Sequence, residues 1–426
     1  MSRLIIQNGR VIDPANNIDQ ITNVYIDRKK IIAIGNNCNG FEADKIIDAS
    51  DQIVIPGIID LSARLREPGL EYKADIASET VAAARAGITT LCVPPDTDPV
   101  IDEPAVVELI HRKVENSGHA NVVALGALTA GLKGELLSEM AALKEAGCVG
   151  MSNARYPIHN SLVLRRAFEY AATHGITVFI EADDPWLSNK GCAHEGAVST
   201  RLGLPPIPYS AETSSIAHYL ELIADTNVRA HFCRLSTARS VEMIHQAQKS
   251  GLKITADVAA HQLHLTEMDI SSFNSQCHVL PPLRNQRDRD ALRTGVKQNI
   301  LSAICSDHQP HELDAKQAPF AATEPGMSTL ETLLPLTLKL VHNNQLDLST
   351  AIAKLTCEPA TILGIDKGTL GTDKTADICI IDPAAEWTMD AEKLTSRGKN
   401  TAFHGWNFNG KVRHTLINGK IIFSKK

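Results

Sequence analysis

The polar residues with the clearest chemical potential follow an apolar run near position 60. The run, Ile53 to Leu61, is rich in isoleucine and too short to cross a membrane. A run of this kind, closed by the turn residues Pro68 and Gly69, is typical of a strand buried on both faces. The polar side chains at and beyond its end are Asp60, Ser62, Arg64, Arg66 and Glu67. We therefore expect a functional site at the polar end of this strand.

Polar residues also end or follow other short apolar runs farther along the chain. Among them are Asn153, Glu181, Arg234, Asp307 and His311. Carboxylates and imidazoles can bind metals or transfer protons, whereas a guanidinium group binds carboxylates and has no lone pair for a cation. These residues could form a site only if the fold brings the ends of the runs together.

The elements between these residues predict a (β/α)8 barrel. Amphipathic segments separate eight apolar runs, and glycines follow several of the segments, where a left-handed helix C-cap favours glycine. The predicted strands are Ile53 to Leu61, Thr89 to Val93, Val122 to Leu125, Cys148 to Met151, Thr177 to Ile180, Arg229 to Phe232, Lys253 to Asp257 and Ala303 to Cys305. The predicted helices include Ser78 to Ala86, Glu135 to Ala146, Leu162 to Thr173 and Thr237 to Lys249, and the glycines are Gly87, Gly147, Gly175 and Gly251. In such a barrel the active site lies at the C-terminal ends of the strands.

The two ends of the chain predict a small β module. Residues 1–52 alternate apolar and polar side chains, and Asn8-Gly9 is a strong hairpin signal. Near the other end, Asn418-Gly419 lies within a similar pattern from Thr415 to Ile422. We expect residues 1–52 and 369–426 to form one β-sandwich module and residues 53–368 to form the barrel. Two unrelated surface hairpins are the alternative.

Composition narrows the classes of function. The chain has 426 residues, 43% hydrophobic and only 4% aromatic, with a net charge of -7 and a pI near 6.1. This balance argues against a surface for nucleic acids and favours small molecules or proteins as partners. The nine cysteines lack any C-x-x-C pair, and the N-terminal residues lack a secretory signal, so we expect a cytoplasmic protein with reduced thiols and no membrane span.

One polar stretch, Glu312 to Ser328, is too long for an ordinary connection between a strand and a helix. We consider it a lid or a partner-binding loop, with a functionless insertion as the alternative.

The stretch near residue 60 resembles the first barrel strand of the dihydroorotases, cyclic amidohydrolases of pyrimidine biosynthesis. In that family the strand ends in Asp, then His-x-His, then Leu-Arg-Glu-Pro-Gly, and the two histidines hold a catalytic zinc. Here Asp60 and the segment Leu65 to Gly69 stand as in the family, but Ser62 and Arg64 occupy the histidine positions. The resemblance covers nearly the whole chain.

The same resemblance extends to the other zinc ligand positions. Asn153 stands where the family has a bridging aspartate, and Glu181 and Arg234 stand where it has metal histidines. Ser306 to His311 matches the family's S/T-D-H-A-P-H motif, so Asp307 keeps the position of the metal ligand and proton shuttle. Since arginine stays protonated and would repel a dication, we predict that the zinc pair is absent.

The replacements also predict a new structure at this point. We hypothesise that Arg64 and Arg234 fill the volume of the missing metals as a salt-bridged plug, with Glu181 or Asp307 as partners. Neutral drift in a solvated barrel mouth is the alternative. An unrelated metal site could use His231 or the pairs His261 with His264 and His308 with His311, although such pairs are common by chance.

The family's substrate-binding residues are changed in part. By resemblance, Arg66 and His311 match the pair that grips the carboxylate of dihydroorotate, a task that suits a bidentate guanidinium. However, Pro95 and Asp96 lie where the family has an amide that contacts the substrate, and Leu280 replaces another asparagine. We therefore expect both substrate recognition and catalysis to be impaired.

The combined pattern is most similar to the non-catalytic dihydroorotase homologues of some bacteria. That resemblance implies a structural or assembly role with the catalytic chain of aspartate carbamoyltransferase, and homodimerisation as is common in the family. The alternative is an active zinc-dependent dihydroorotase or another cyclic-amide hydrolase, with Asp307 as general base and Arg66 and His311 as the substrate clamp. A small-molecule sensor that uses the remaining pocket is a third class.

Overall fold

The computed structural model describes residues 3–425, which form a barrel and a separate β-sheet. The strands, in chain order, are β1 (Arg3–Asp13), β2 (Ile18–Asp27), β3 (Lys30–Gly35), β4 (Lys45–Asp48), β5 (Ile53–Pro56), β6 (Ile58–Asp60), β7 (Ile88–Val93), β8 (Asn121–Ala127), β9 (Gly150–Ser152), β10 (Thr177–Glu181), β11 (Ala193–His194), β12 (Pro206–Ile207), β13 (Arg229–Cys233), β14 (Ile254–Ala259), β15 (Ala303–Cys305), β16 (Ile378–Thr388), β17 (Asn407–Ile417) and β18 (Lys420–Ser424).

The α-helices cover the outside of the barrel and its loops. They are α1 (Ile76–Arg85), α2 (Pro104–Ser117), α3 (Met140–Glu145), α4 (Ser161–Thr173), α5 (Pro185–Ser188), α6 (Ala197–Leu202), α7 (Ser210–Thr226), α8 (Ala238–Lys249), α9 (Gln286–Lys297), α10 (Leu330–His342), α11 (Leu348–Ala353) and α12 (Cys357–Leu363). Among the described residues, none of these helices combines the length and the hydrophobicity needed to cross a bilayer.

Eight parallel strands form the predicted barrel, in the order β15-β14-β13-β10-β9-β8-β7-β6. Side-chain contacts help to close the gap between the first and last of these strands. The carboxylate of Asp60 accepts hydrogen bonds from the Ser306 backbone N–H at 2.8 Å and from its hydroxyl at 2.5 Å. Backbone pairing between Ala63 and His308 continues the closure above the strands. The (β/α)8 fold is therefore confirmed.

The predicted glycine caps are present where helices give way to strands. Gly87, Gly147, Gly175 and Gly251 all have positive φ angles. Each sits where the chain leaves a helical segment to enter a buried strand, a turn that L-residues adopt at a cost. One predicted helix is shorter than expected. Of the segment from Glu135 to Ala146, only Met140–Glu145 is α-helical.

Both ends of the chain join one sheet, in the order β18-β17-β16-β5-β1-β2-β3, with β4 also paired to β1. Asn418 and Gly419, both at positive φ, form the predicted tight turn between β17 and β18. The prediction for Asn8-Gly9 is wrong. These residues lie inside β1, where the register with β2 shifts between Ile6 and Gly9, so they form a bulge and the chain does not reverse.

The predicted first barrel strand, Ile53 to Leu61, is two strands. Ile53–Pro56 pairs with β1 and antiparallel with β16 in the terminal sheet, and only Ile58–Asp60 enters the barrel beside β7. Gly57 separates the two, and a Cβ there would lie 2.2 Å from the Thr89 hydroxyl. The run is buried throughout because it crosses both cores, which its apolar composition alone does not reveal.

Candidate functional site

Strand ends bring the sequence-predicted polar residues together at the C-terminal mouth of the barrel. Arg64 follows β6, Glu181 ends β10, Arg234 follows β13 and Asp307 follows β15. Arg234 and Asp307 have left-handed backbone conformations, with φ angles of 53° and 50°. Such φ angles are uncommon outside glycine, and local backbone strain of this kind is often found at functional sites.

Arg234 lies at the centre of the mouth and is only 4% exposed. Its Nη2 is 2.5 Å from Glu181 Oε1, and its Nε is 3.3 Å from Asp307 Oδ1. Its Nη1 donates a hydrogen bond of 3.0 Å to the hydroxyl of Ser62. Three residues that occupy metal-ligand positions of the family therefore contact the guanidinium of a fourth.

Arg64 approaches the same carboxylates from the first strand. Its Nε and Nη2 both lie 2.9 Å from Asp96 Oδ2. The guanidinium is also 3.6 Å from Glu181 and 3.8 Å from Asp307. Both arginines point into the barrel and pair with the carboxylates that the plug hypothesis named. Asp96 is an additional partner of Arg64.

Arg155 completes this cluster from the loop after β9. Its Nε donates to Glu181 Oε2 at 3.1 Å, and its Nη2 donates to the backbone oxygen of Leu280. Sequence reasoning missed Arg155 because no family motif contains it, and it treated Asp96 only as a lost substrate contact. The plug, defined as Arg64, Arg155, Arg234, Asp96, Glu181 and Asp307, contains equal numbers of guanidinium and carboxylate groups.

The ion pairs decide the protonation of these buried groups. Burial by itself would raise the pKa of Glu181, but the guanidinium groups of Arg234, Arg64 and Arg155 outweigh it and hold that pKa well below its usual range. Burial likewise would lower the pKa of Arg234, but the carboxylates of Glu181 and Asp307 raise it well above its usual value. Glu181 and Arg234 are therefore both charged at neutral pH.

Asn153 and the glutamine beside Asp307 satisfy neighbouring polar groups. Asn153 accepts a 2.7 Å hydrogen bond from the Thr129 hydroxyl and donates to the backbone oxygen of Tyr156 at 2.6 Å. Asn153 thus ties loops together and does not contact the plug arginines. Gln309 Nε2 lies 3.1 Å from both carboxylate oxygens of Asp307, so this carboxylate has donors on several sides.

The predicted substrate pair, Arg66 and His311, is assembled but occupied by protein contacts. Arg66 Nη2 lies 3.1 Å from His311 Nε2, and Arg66 Nε donates to the backbone oxygen of Pro310. Lys73 Nζ lies 3.2 Å from the other ring nitrogen. Burial, together with the positive charges of Arg66 and Lys73, lowers the pKa of His311 to about 2, so its ring is neutral.

The long loop from Glu312 to Ser328 folds over this pair. It contains two short 3-10 helices, Leu313–Lys316 and Phe320–Ala322. Pro325 places its backbone oxygen 3.1 Å from His311 Nε2, and the Phe320 ring packs on His278 at 4.9 Å. The segment therefore covers the barrel mouth, as a lid would. Its role as a lid or in binding a partner remains a prediction.

Four of the five histidines that we considered for another metal site have structural partners, whereas His261 Nδ1 is buried without a hydrogen-bond partner among the described residues. His308 lies 2.8 Å from Glu79, and His264 lies 2.9 Å from the backbone oxygen of Leu336. Within residues 3–425, the one group of three potential ligands within 4.8 Å is His231, Cys233 and Asp257. His231 is fully buried inside the barrel.

That group is already hydrogen-bonded. His231 contacts Asp257 at 3.0 Å through Nε2 and Thr255 at 2.8 Å through Nδ1. The backbone N–H of Arg234 donates to the other Asp257 oxygen at 2.6 Å. These contacts stabilise the interior of the barrel and position the backbone of Arg234.

The plug does not match the donor set that a pair of zinc ions requires. Zinc takes imidazole, thiolate or carboxylate ligands. At the mouth, arginine side chains occupy two of the expected ligand positions, and Glu181 and Asp307 form ion pairs with those arginines. A dication here would have to displace guanidinium groups that are at most 8% exposed.

A cavity of about 350 Å³ lies beside the plug, between the loop after β10 and residues 280–284. Its walls include Arg155, Glu181, Cys233, Arg234 and Leu280, but its described lining does not include Arg66 or His311. The space could hold a small molecule next to the plug. The two residues that would grip a substrate carboxylate by resemblance thus lie outside it.

Comparison with known proteins agrees with the sequence resemblance. A family model described as Dihydro-orotase-like matches residues 51–240, and one described as Amidohydrolase family matches residues 337–423. A dihydroorotase-like protein from Pseudomonas aeruginosa is 47% identical over 416 residues, covering 98% of this chain and 98% of the relative. A dihydroorotase from Geobacter metallireducens is 41% identical over 422 residues, covering 99% of this chain and 100% of the relative.

Solved structures with lower sequence identity share the fold. The L-hydantoinase (dihydropyrimidinase) from Arthrobacter aurescens matches 100% of this chain and 97% of its own, with a TM-score of 0.90 at 22% identity. This likeness supports the same barrel and terminal sheet. Because close sequence similarity runs through the full length of the relatives, the chain belongs to the dihydroorotase-like family of amidohydrolases.

Proposed function

We propose that this chain is a catalytically silent, zinc-free dihydroorotase homologue that serves as a structural subunit for the catalytic chain of aspartate carbamoyltransferase. The observation that carries the silent, zinc-free part is the plug, in which Arg64 and Arg234 occupy metal positions and pair with Glu181 and Asp307. The partnership rests on the sequence resemblance. We further propose that the protein acts in the cytoplasm as a homodimer.

The physical argument concerns what a hydrolase of this family needs at the barrel mouth. A metal-bound water is activated because the cation lowers its pKa. Guanidinium groups stay protonated and offer only donors, so they cannot hold the metal in place. The carboxylate of Asp307 lies 3.3 Å from Arg234 Nε and accepts a hydrogen bond from Gln309, so donors of this chain already engage the oxygens that a general base needs free.

The active-enzyme alternative has one observation in its favour, the preserved pair of Arg66 and His311 at 3.1 Å. The relative from Geobacter metallireducens is also described as a dihydroorotase. Metal content of the purified protein and turnover of dihydroorotate, measured on the same sample, decide between the two. We expect far less than one zinc per chain and no turnover. Stoichiometric zinc with turnover would establish the enzyme instead.

The partnership is tested by mixing the purified chain with the catalytic chain of aspartate carbamoyltransferase at micromolar concentrations. We expect a new, larger species in gel filtration and a change in transferase activity. The variant His311→Gln is the matched control, because it removes a substrate-clamp residue and should still form the complex. Unchanged elution of both proteins would contradict the structural role, and loss of the complex in the variant would tie binding to the clamp.

A further inference from the structure

A second cavity, far from the plug, lies between the barrel and the terminal sheet. It has a volume of about 220 Å³, and its walls come from α1, α10, β16, β17 and the end of β18. Arg85, one of its residues, is in the last turn of α1. Helices in this fold run opposite to the strands, so the C-terminal end of α1 points away from the mouth that holds the plug.

Three positively charged side chains meet at this cavity without carboxylate partners. They are Arg85 in α1, Lys411 in β17 and Lys425, which follows β18. Within residues 3–425, no carboxylate lies within ion-pair distance of any of the three. A fourth cation in the wall, Lys393, is paired with Asp390 at 3.1 Å.

The other acidic residue in the wall, Glu331, feels the charge of Arg85 but forms no ion pair with it. Glu331 Oε2 lies 3.3 Å from the Thr395 hydroxyl, and Oε1 accepts a hydrogen bond of 3.3 Å from the backbone N–H of Ser396. Burial raises the pKa of Glu331 above its ordinary value. Its oxygens thus satisfy a neighbouring loop, and the cavity keeps an excess of positive charge.

The cations are also crowded. Lys411 and Lys425 both line the cavity, and the positive charges of Lys425, Arg413 and Arg85 all act on Lys411. Partial burial, with this repulsion in addition, lowers the pKa of Lys411. Like charges held together without a counter-ion cost free energy, and an anion bound between them would recover it.

Aromatic rings hold two of the three cations in place. The Arg85 guanidinium lies 5.7 Å from the centre of the Phe423 ring, and Lys411 Nζ lies 5.0 Å from the centre of the Trp387 ring. Contacts of this kind restrain long side chains. Two of the three positive groups are therefore preorganised at the cavity, which reduces the entropy lost when an anion binds.

We propose that this cavity is a binding site for a small phosphate-bearing molecule. A phosphate carries up to two negative charges and three strong acceptor oxygens, enough to contact cations from three directions at once. The cavity is larger than one phosphate group, so the bound molecule has room for a substituent or a second phosphate. This site is independent of the proposed partnership and of the plug.

Isothermal titration of the full-length protein tests the site with three probes: inorganic phosphate, tripolyphosphate and a nucleoside triphosphate. We expect saturable binding, tighter for tripolyphosphate than for phosphate and weaker at high salt. Lys411→Gln and Arg85→Gln should each weaken binding about tenfold or more, equivalent to about 1.4 kcal/mol. The control Lys249→Gln, which removes an exposed lysine at the end of α8, should bind like the wild type.

The arms of the titration also identify the ligand class. Tighter binding of the nucleotide than of tripolyphosphate assigns the site to a phosphate attached to a ring, and equal binding assigns it to the phosphate groups alone. A thermal melt without ligand tests whether the variant is folded. Because Lys411→Gln relieves repulsion between like charges, its melting temperature should be no lower than that of the wild type. The proposal is overturned if no probe binds saturably, or if Lys411→Gln binds them like the wild type.

Discussion

Removing the guanidinium of Arg234 should destabilise the protein strongly, although the residue is absent from the hydrophobic core. Breaking a buried ion pair typically costs about 3–5 kcal/mol, because the remaining charge stays buried. Here Arg64 and Arg155 still reach Glu181, at 3.6 Å and 3.1 Å, so we expect Arg234→Met to cost about 3 kcal/mol, the lower end of that range.

Equilibrium urea unfolding measures this loss, and a double-mutant cycle assigns it to the plug. Glu181→Gln alone should also destabilise, and the double variant should lose about 1–3 kcal/mol less than the sum of the two. The control Arg229→Met removes an exposed arginine from β13, the strand that Arg234 follows, and should cost less than about 1 kcal/mol.

Acid provides a second measurement on the same variants. Because the folded-state pKa of Glu181 is depressed, its ion pairs stabilise the protein at neutral pH, and this contribution is lost as pH falls through the folded-state pKa. Arg234→Met should move that loss to higher pH. A cost below about 1 kcal/mol, or strictly additive effects of Arg234→Met and Glu181→Gln, would refute the view that the plug replaces the metals as a stabilising centre.

Three further predictions concern other buried groups. The pKa of His311 is lowered from 6.5 to about 2, so between these pH values protonation favours the unfolded state. His311→Gln should therefore reduce the fall in stability below pH 6.5 by up to about 1.4 kcal/mol per pH unit. An unchanged dependence of the unfolding free energy on pH, measured by urea titrations, would contradict this. Ser306→Ala removes the hydroxyl that donates to one oxygen of the fully buried Asp60, and should lower the free energy of unfolding by about 1–3 kcal/mol in the same assay. An unchanged free energy of unfolding would show that the barrel closure does not depend on this hydrogen bond. Gly87→Ala should lower the melting temperature more than Gly251→Ala. Both glycines have positive φ, but only at Gly87 would an added Cβ meet a neighbour, Cys379 Sγ at 2.4 Å. Equal shifts in melting temperature would indicate that backbone conformation alone sets the cost.

The terminal sheet illustrates where local patterns were insufficient. Asn8-Gly9 and Asn418-Gly419 have the same turn chemistry, yet the first forms a bulge within β1 and the second a hairpin. Asn8 has a positive φ in the bulge, whereas both Asn418 and Gly419 have positive φ in the hairpin. Which setting occurs depends on the strand that lies alongside, and that strand is supplied by a different part of the chain.

The sequence by itself determined the barrel, because its strands are short apolar runs and four of them follow helical segments that end in glycine. It also determined that arginines occupy two metal positions. Only the tertiary structure decided that Ile53–Pro56 pairs in the terminal sheet, and that Asp96 and Arg155 join Arg64 and Arg234 in the plug. Burial and turn preferences act over a few residues and leave a clear local pattern. Strand partners and ion pairs join residues far apart in the chain, so their geometry exists only once the barrel has closed.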